Sequence, residues 1–167
     1  SLIARSTVDE LDAAIASGSY EEALGWYRKL LPECLEQSPT VDVLNIQKAV
    51  DLAHLLLLDG QKVQAETLLN VIVQRFDELY VRGAANYPMG IAKVDALALL
   101  GQKSDAIAAL QKLVDDGFRV RWRWSTELNR NHASLQDDPA YIAIVDRLRS
   151  DMTTQLEASL NFNPGSG

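Results

Sequence analysis

The heptapeptide DGQKVQA at residues 59–65 decides the fold, because it has two counterparts in the chain. These are SGSYEEA at 17–23 and LGQKSDA at 100–106. In each stretch an alanine follows the glycine by five residues, and a large residue follows the alanine by four. The three large residues are Tyr27, Leu69 and Leu110. The sequence therefore predicts one local structure three times, at nearly constant spacing.

Each of these glycines is predicted to end one helix shortly before the next begins. Glycine adopts the left-handed backbone conformation that closes a helix at little steric cost. A short turn then directs the second helix back alongside the first. The alanine permits close approach of the two helices, and the large residue one turn later fills the space beside it. The junctions thus predict three helix-turn-helix pairs.

Apolar residues recur at helical spacing over most of the chain, and strand patterns are nearly absent. The periodic runs lie at 8–15, 23–31, 44–56, 65–76, 91–100 and 106–114. This pattern predicts an all-α protein with a single domain over residues 1–160. The end at 161–167 is rich in Asn, Gly, Pro and Ser and is predicted to be a flexible tail.

The glycine, the alanine and the following tyrosine or leucine are similar to the second-helix signature of the tetratricopeptide repeat family. The resemblance implies a right-handed α-α superhelix with repeats at about 5–37, 41–81 and 88–116. The period differs, since Gly18 to Gly60 spans 42 residues and Gly60 to Gly101 spans 41, against about 34 in the standard repeat. We interpret the additional residues as longer second helices and loops, which make the superhelix less regular.

Beyond Gly117 a different pattern begins, which is predicted to cap the repeats over residues 118–160. The stretch FRVRWRW at 118–124 leads into a predicted short polar helix at 125–131. Asp137-Asp138-Pro139 then predicts the start of a long capping helix, because aspartate before proline is a good helix start. The expected inner face of this helix consists of Tyr141, Ile142, Val145, Leu148, Met152 and Leu156.

The stretch LQDDPAY at 135–141 resembles the C-terminal end of tetratricopeptide modules in bacterial signalling proteins. Such modules are often attached to winged-helix transcription regulators, adenylate-cyclase-like proteins or kinases. The resemblance implies a bacterial origin and a place in a regulator. Because the chain starts at Ser1 with no initiator methionine, we expect it to be a fragment of a longer protein.

The charge and hydropathy of the chain limit its partners. The net charge is -7, and an acidic surface repels phosphates, so direct binding of nucleic acid or anionic membranes is not expected. No apolar run approaches the ~20 residues that cross a bilayer, so membrane insertion of this fragment is not expected either. The chain start shows no signal-peptide pattern. A cytoplasmic location is favoured, and a periplasmic one stays open.

Residues with catalytic or metal-binding chemistry are few. Cys34 is the single cysteine, and it is predicted to be a small buried residue on a helix. Neither His54 nor His132 has a second histidine or a cysteine at ligand spacing, so no metal or other cofactor is expected. His132 lies near Asp137 and Asp138, a weak indication of a metal or acid-base site; a surface histidine beside a helix cap is favoured. Without a catalytic motif, the chain is predicted not to be an enzyme.

The Arg-Trp stretch at 118–124 has two interpretations. In one, its side chains form a cation–π or nucleic-acid-binding surface. In the other, which is favoured, the tryptophans cover the apolar end of the repeat stack while the arginines face water. The residues concerned are Arg119, Arg121, Arg123, Trp122 and Trp124.

The resemblance also implies a concave binding face, lined by the first helix of each pair. The corresponding residues are Arg5, Asp12, Gln47, His54, Leu58, Ile91 and Asp95. None is Lys or Asn, so the clamp with which chaperone-binding members of the family hold a C-terminal carboxylate is absent. The mixed apolar and acidic character suits an amphipathic helix or a basic peptide. For Leu58 and Ile91, packing against the next repeat is an equally good interpretation.

Two functions are compatible with these patterns. The leading hypothesis is a protein-protein interaction module, which binds a protein or peptide as part of a bacterial regulator. The alternative is a small-molecule-sensing domain of a transcriptional regulator, with a ligand held between helices. Homodimerisation stays open under both hypotheses.

Overall fold

A computed structural model of the protein describes residues 7–81, 89–119 and 121–161, and most of these residues lie in helices. Those residues include no strand, which confirms the all-α prediction for them. Short 3-10 helices lie at Pro32–Leu35 and at Arg130–His132, between α-helices. The α-helices are α1 (Thr7–Ser17), α2 (Tyr20–Leu30), α3 (Ile46–Leu58), α4 (Lys62–Val81), α5 (Ala92–Leu99), α6 (Lys103–Asp115), α7 (Trp122–Ser125) and α8 (Pro139–Leu160).

The predicted junctions are helix ends closed by a left-handed glycine. At the end of α3, Gly60 has φ +81°. Its N–H donates to the carbonyl of Leu57 at 3.1 Å, and the N–H of Gln61 donates to the carbonyl of Leu56 at 2.8 Å. These two hydrogen bonds define the Schellman motif, which satisfies carbonyls that the end of a helix leaves unpaired. Gly101 closes α5 in the same way, with φ +76°.

Two glycine substitutions should have opposite effects on stability. Gly101→Ala is expected to destabilise the fold by about 1 kcal/mol, because an alanine side chain at φ +76° is strained. Gly25→Ala should stabilise the fold by about 0.5 kcal/mol, since Gly25 lies inside α2 and an added Cβ meets no atom within 4 Å. Urea denaturation of both variants measures the difference. Equal shifts in the same direction would contradict this reading of the junctions.

The residues that the junction pattern singles out lie at the centre of the helix pairs. The alanines Ala23, Ala65 and Ala106 are buried, and so are the large residues one turn later, Tyr27, Leu69 and Leu110. Each of the pairs α1–α2, α3–α4 and α5–α6 packs together. The first helices also pack on one another, α1 on α3 and α3 on α5, so they share one surface.

The additional residues of the first repeat form a structured connection. After α2 comes the 3-10 helix Pro32–Leu35, and a loop then leads to α3. In this loop the Asp42 side chain accepts hydrogen bonds from the N–H groups of Leu44 and Asn45, at 2.8 and 2.9 Å. The Asn45 side chain in turn accepts from the N–H of Asp42 at 2.8 Å. These bonds fix the entry into α3.

Cys34 is fully buried, as predicted, although on the 3-10 helix rather than an α-helix. Burial, and then the nearby acidic residues Glu33 and Asp42, raise the pKa of its thiol to about 12. Since only the thiolate reacts as a nucleophile, iodoacetamide at pH 8 should leave the native protein unlabelled and should label it in urea. Mass spectrometry measures the labelling. Rapid labelling of the native protein at this single cysteine would contradict its burial.

In the predicted cap at residues 118–160, the structure differs from the prediction before α8 begins. The predicted helix at 125–131 is wrong, because the helical turn α7 lies earlier and residues 126–128 form a turn. The start of the last helix is confirmed: Pro139 opens α8, and the Asp138 side chain accepts from the N–H of Ala140 at 2.9 Å. Residues 162–167, most of the predicted tail, lie outside the described residues.

The inner face of α8 is shorter than predicted. Tyr141, Val145 and Leu148 are buried, with Ile144 in the place expected for Ile142. Ile142 and Leu156 are exposed, and Leu156 reaches 60%. From residue 153 to 160 every side chain of α8 is exposed, because the helix continues past the elements against which it packs. No helix in the described part of the chain is long and apolar enough to cross a membrane.

Candidate functional site

Polar side chains gather on the surface formed by the first helices of the three pairs, here called the first-helix face. Asp12 lies on α1, Gln47, Asp51 and His54 on α3, and Asp95 on α5. The three residues of α3 share one side of the helix, since they are spaced by four and three positions. Residues 126–136, here called the linker segment, lie against this face and join it to α8.

Asp95 is the centre of the site, and its carboxylate is 1% exposed. One oxygen, Oδ1, lies 2.8 Å from Nε2 of His132 and accepts a hydrogen bond from the Asn129 amide at 2.8 Å. The other oxygen, Oδ2, accepts from the Gln47 amide at 3.1 Å. Three side chains thus satisfy one buried carboxylate, as burial of a charge requires.

His132 continues this network toward α8. Its side chain is fully buried, and Nδ1 lies 2.8 Å from the hydroxyl of Tyr141. If Nε2 carries the proton donated to Asp95, then Nδ1 accepts from the tyrosine, and every polar atom of the chain Asp95–His132–Tyr141 is satisfied. Burial, and then Asp95, raise the pKa of Tyr141, so its hydroxyl stays protonated. Because both imidazole and carboxylate are buried, this arrangement holds elements together and is closed to water while the linker segment is in place.

The environment of His132 corrects the expectation of a surface histidine. Its partners are Asp95 and Tyr141 instead of the nearby acids Asp137 and Asp138. Asp138 serves only as the cap of α8. Among the residues whose positions are described, no group of three or more His, Cys, Asp or Glu side chains could hold a metal ion.

Two ionisable groups of α3 have shifted pKa values beside this network. Burial, and then the charge of Asp95, raise the pKa of Asp51 to about 7, while a hydrogen bond with Tyr27 acts in the opposite direction. Burial lowers the pKa of His54. Nδ1 of His54 lies 2.7 Å from the amide oxygen of Asn131, so a neutral imidazole donates a hydrogen bond there. The site therefore holds two carboxyl groups, the buried Asp95 and Asp51, and the pKa of Asp51 is raised to about 7.

The linker segment contacts all three first helices through consecutive residues. Arg130 forms an ion pair with Asp12 of α1. Asn131 contacts His54 of α3, and both Asn129 and His132 contact Asp95 of α5. The segment is braced internally, because the Asn129 side chain accepts from the N–H of Asn131 at 2.9 Å.

The residues predicted for a concave face do not share one environment. Asp12, Gln47, His54 and Asp95 do come together, but as partners of the chain itself. Leu58 is exposed and lies outside the network, and Arg5 lies outside the described residues. Ile91 is 3% exposed and packs in the core, which agrees with the packing interpretation and not with a partner contact. Asp95 is likewise inaccessible while the linker segment covers it.

Arg119 of the Arg-Trp stretch links the end of α6 to α8. Its guanidinium donates to the carbonyls of Val114 and Phe118, at 2.8 and 2.6 Å. It also pairs with the Asp151 carboxylate at 2.6 Å. Arg119 therefore satisfies the C-terminal end of one helix and holds another, instead of facing water as the favoured interpretation had it.

The remaining residues of the stretch lie near the surface. Trp122 is partly buried against the core, with the Arg149 guanidinium 6.0 Å from its ring centre. Trp124 is exposed, so it does not cover the end of the stack. Arg121 is exposed with φ 48°, and Arg123 pairs with Glu127 at 3.2 Å. Of the five residues of the stretch, Arg121, Arg123 and Trp124 are therefore exposed, and Arg123 is paired within the chain.

Comparison with protein-family models, curated proteins and solved structures finds no match to this chain. The geometry of the site is therefore the basis for a functional assignment.

Four residues of the site were missing from the sequence-based set: Asp51, Asn129, Arg130 and Asn131. Asp51 had a usable signal, because it lies between Gln47 and His54 on the same side of α3. The other three lie in a polar stretch without helical periodicity, and nothing local distinguishes them from solvent-exposed loop residues.

Proposed function

We propose that this chain is a protein-interaction module of tetratricopeptide type, a right-handed superhelix within a bacterial regulator, whose first-helix face binds a segment of polypeptide. The observation that supports the proposal is the contact of α1, α3 and α5 with one short stretch of chain, Asn129 to His132. Each first helix contributes a polar side chain to that stretch. A face that holds one polypeptide segment in this way has the chemistry to hold another.

The charge of the face favours a basic partner. Asp12, Asp51 and Asp95 all lie on it, and the whole chain carries a net charge of -7. Carboxylates that face a peptide select arginine, lysine or histidine side chains and reject acidic ones. The proposed partner is therefore a protein that presents a short basic segment.

The test compares two charge reversals of the same size. Tagged wild-type chain is used to capture partners, and each partner is then titrated against Asp12→Lys and Glu66→Lys. Glu66 is an exposed residue of α4 that pairs with Lys62 at 3.6 Å, away from the first-helix face. We expect Asp12→Lys to weaken binding at least about tenfold, through repulsion of a basic segment, and Glu66→Lys to leave it unchanged.

Two results would argue against the proposal. One is that the wild-type chain retains no protein or peptide. The other is that a genuine partner binds both variants equally, which would move the interaction to a different surface. Circular dichroism of both variants checks that the helices are intact.

A further inference from the structure

The linker segment has the position and contacts of a bound peptide. Four consecutive residues, Asn129 to His132, supply an amide, a guanidinium, a second amide and an imidazole. Each of these groups contacts the first-helix face. The segment therefore displays, within the chain itself, the side-chain chemistry that the face recognises.

We propose that the first-helix face is a peptide-binding site that the linker segment occupies in the isolated chain, and that an external peptide of matching chemistry replaces it. The ligand assigned to the site is a short segment with an arginine flanked by asparagine and followed by asparagine and histidine or a similar base. This inference rests on the proposed function, because it specifies the ligand and the regulation of the same face.

The outer contact of the segment is the point at which an external peptide enters. The side chains of Arg130 and Asp12 are 31% and 51% exposed, so their ion pair is accessible to water and to a competing arginine. Exposed ion pairs hold weakly. In contrast, His132 is inaccessible. Exchange therefore begins at the Arg130–Asp12 pair and proceeds inward to Asp95.

The segment lacks the backbone hydrogen bonding of an α-helix. It contains no α-helix, only turns and the three-residue 3-10 helix Arg130–His132. Its bonds to the rest of the chain are mainly side-chain hydrogen bonds, which an incoming peptide can remake one for one. Its apolar anchor is Leu135, which is buried. Loss of this anchor is the part of the exchange that an external ligand must offset with its own apolar contact.

Hydrogen exchange of the unmodified chain tests whether the segment opens by itself. The amides to follow are those of His132 and Leu135, which donate to Asn129 and His132 at 3.0 and 2.8 Å. We expect them to exchange at least about tenfold faster than amides inside α3 and α4, through a local opening. If they exchange only together with α3 and α4, the segment leaves only on global unfolding, and the inference is overturned.

Peptide binding in trans tests the site itself. The probe is a fluorescent peptide with the sequence of residues 126–136, TELNRNHASLQ. Arg130→Ala loosens the internal segment without touching its buried residues, so we expect this variant to bind the probe at least about tenfold more tightly than the wild type. Adding Asp12→Lys to the variant should abolish the gain, and a probe with glutamate in place of its arginine should not bind.

Several outcomes overturn the assignment. These are equal binding of the probe by wild type and Arg130→Ala, binding that survives Asp12→Lys, and absence of binding by a variant that circular dichroism shows to be folded. Sedimentation is run without the probe, and dimerisation of Arg130→Ala by exchange of the segment between two copies would overturn the assignment to an external peptide.

The inference and the proposed function fail separately. If probe exchange occurs but no partner protein is captured, the peptide site stands and the interaction function falls. If a partner binds in an Asp12-dependent manner while the amides of the segment remain closed, the interaction function stands and the exchange mechanism falls.

Discussion

Replacing Asp95 with alanine is expected to lower the free energy of unfolding by about 3 kcal/mol at pH 7. The carboxylate accepts hydrogen bonds from Asn129 and Gln47 and contacts His132. Alanine leaves these three groups without an acceptor in a region that water does not reach. The penalty for stranded buried donors, rather than the lost attraction, accounts for most of the effect. The substitution also removes the contacts that join α3, α5 and the linker segment.

Thermal and urea denaturation measure this loss. For a domain of this size about 3 kcal/mol corresponds to a fall in Tm of roughly 6–12 °C. Asp77→Ala is the matched control, because Asp77 is exposed and pairs with Lys93 at 2.6 Å. An exposed ion pair contributes less than about 1 kcal/mol. Similar losses for the two variants would show that Asp95 is not the centre of a buried network.

The repeat junctions were predictable because their information is local. A glycine, an alanine five residues later and a large residue after that are all read within one short stretch of sequence. Backbone sterics then determine what the glycine does, as the φ values of Gly60 and Gly101 show. The start of α8 was predictable for the same reason, since Asp138 and Pro139 act on their own backbone.

The site was predicted only in part, because half of it comes from outside the repeats. Gln47, His54 and Asp95 were expected on the concave face because the family resemblance implies it. Their partners Asn129 and Asn131 are 34 and 77 residues distant in sequence from Asp95 and His54. No local rule connects positions so far apart. The folded chain brings them together after the helix pairs have formed a surface for the linker segment to contact.

The buried face of α8 was predicted to be too long, and this error has a different origin. The apolar stripe of the helix runs on through Met152 and Leu156, so periodicity alone predicts a buried face along the whole length. Periodicity gives the direction of a face and does not give the extent of the neighbour that covers it. Burial along α8 ends after Leu148 except for partial cover at 151 and 152. The superhelical arrangement implied by the family resemblance stays a prediction.

Asp51→Asn is expected to stabilise the protein at high pH, which gives the site a clear pH signature. Burial and the Asp95 charge raise the pKa of Asp51 to about 7 in the folded protein, against about 3.9 for an unfolded chain. Between these two values the folded state holds a proton that the unfolded state has released. Stability contributed by this group is therefore full below about pH 4 and is lost as the pH rises to about 7.

Asparagine removes this loss, because it keeps the shape of the protonated acid and carries no charge at any pH. The stability difference between Asp51→Asn and wild type should therefore be about 2 kcal/mol more favourable to the variant at pH 8 than at pH 5. Burial also lowers the pKa of His54, so wild-type stability falls when the pH drops through about 6.5. That contribution is present in both proteins and cancels from the comparison.

Urea denaturation of wild type, Asp51→Asn and Asp77→Asn at pH 5 and pH 8 measures these differences. Asp77 is the matched control, since it is an exposed carboxylate beside Lys93 and its substitution should show no such gain at high pH. A gain for Asp51→Asn that is the same at both pH values would mean that amide packing, and not the removal of an ionisable carboxyl group, is responsible. A gain that is about 2 kcal/mol larger at pH 8 would mean that burial, and then the charge of Asp95, opposes ionisation of Asp51 on the first-helix face, where a positively charged ligand group would favour it.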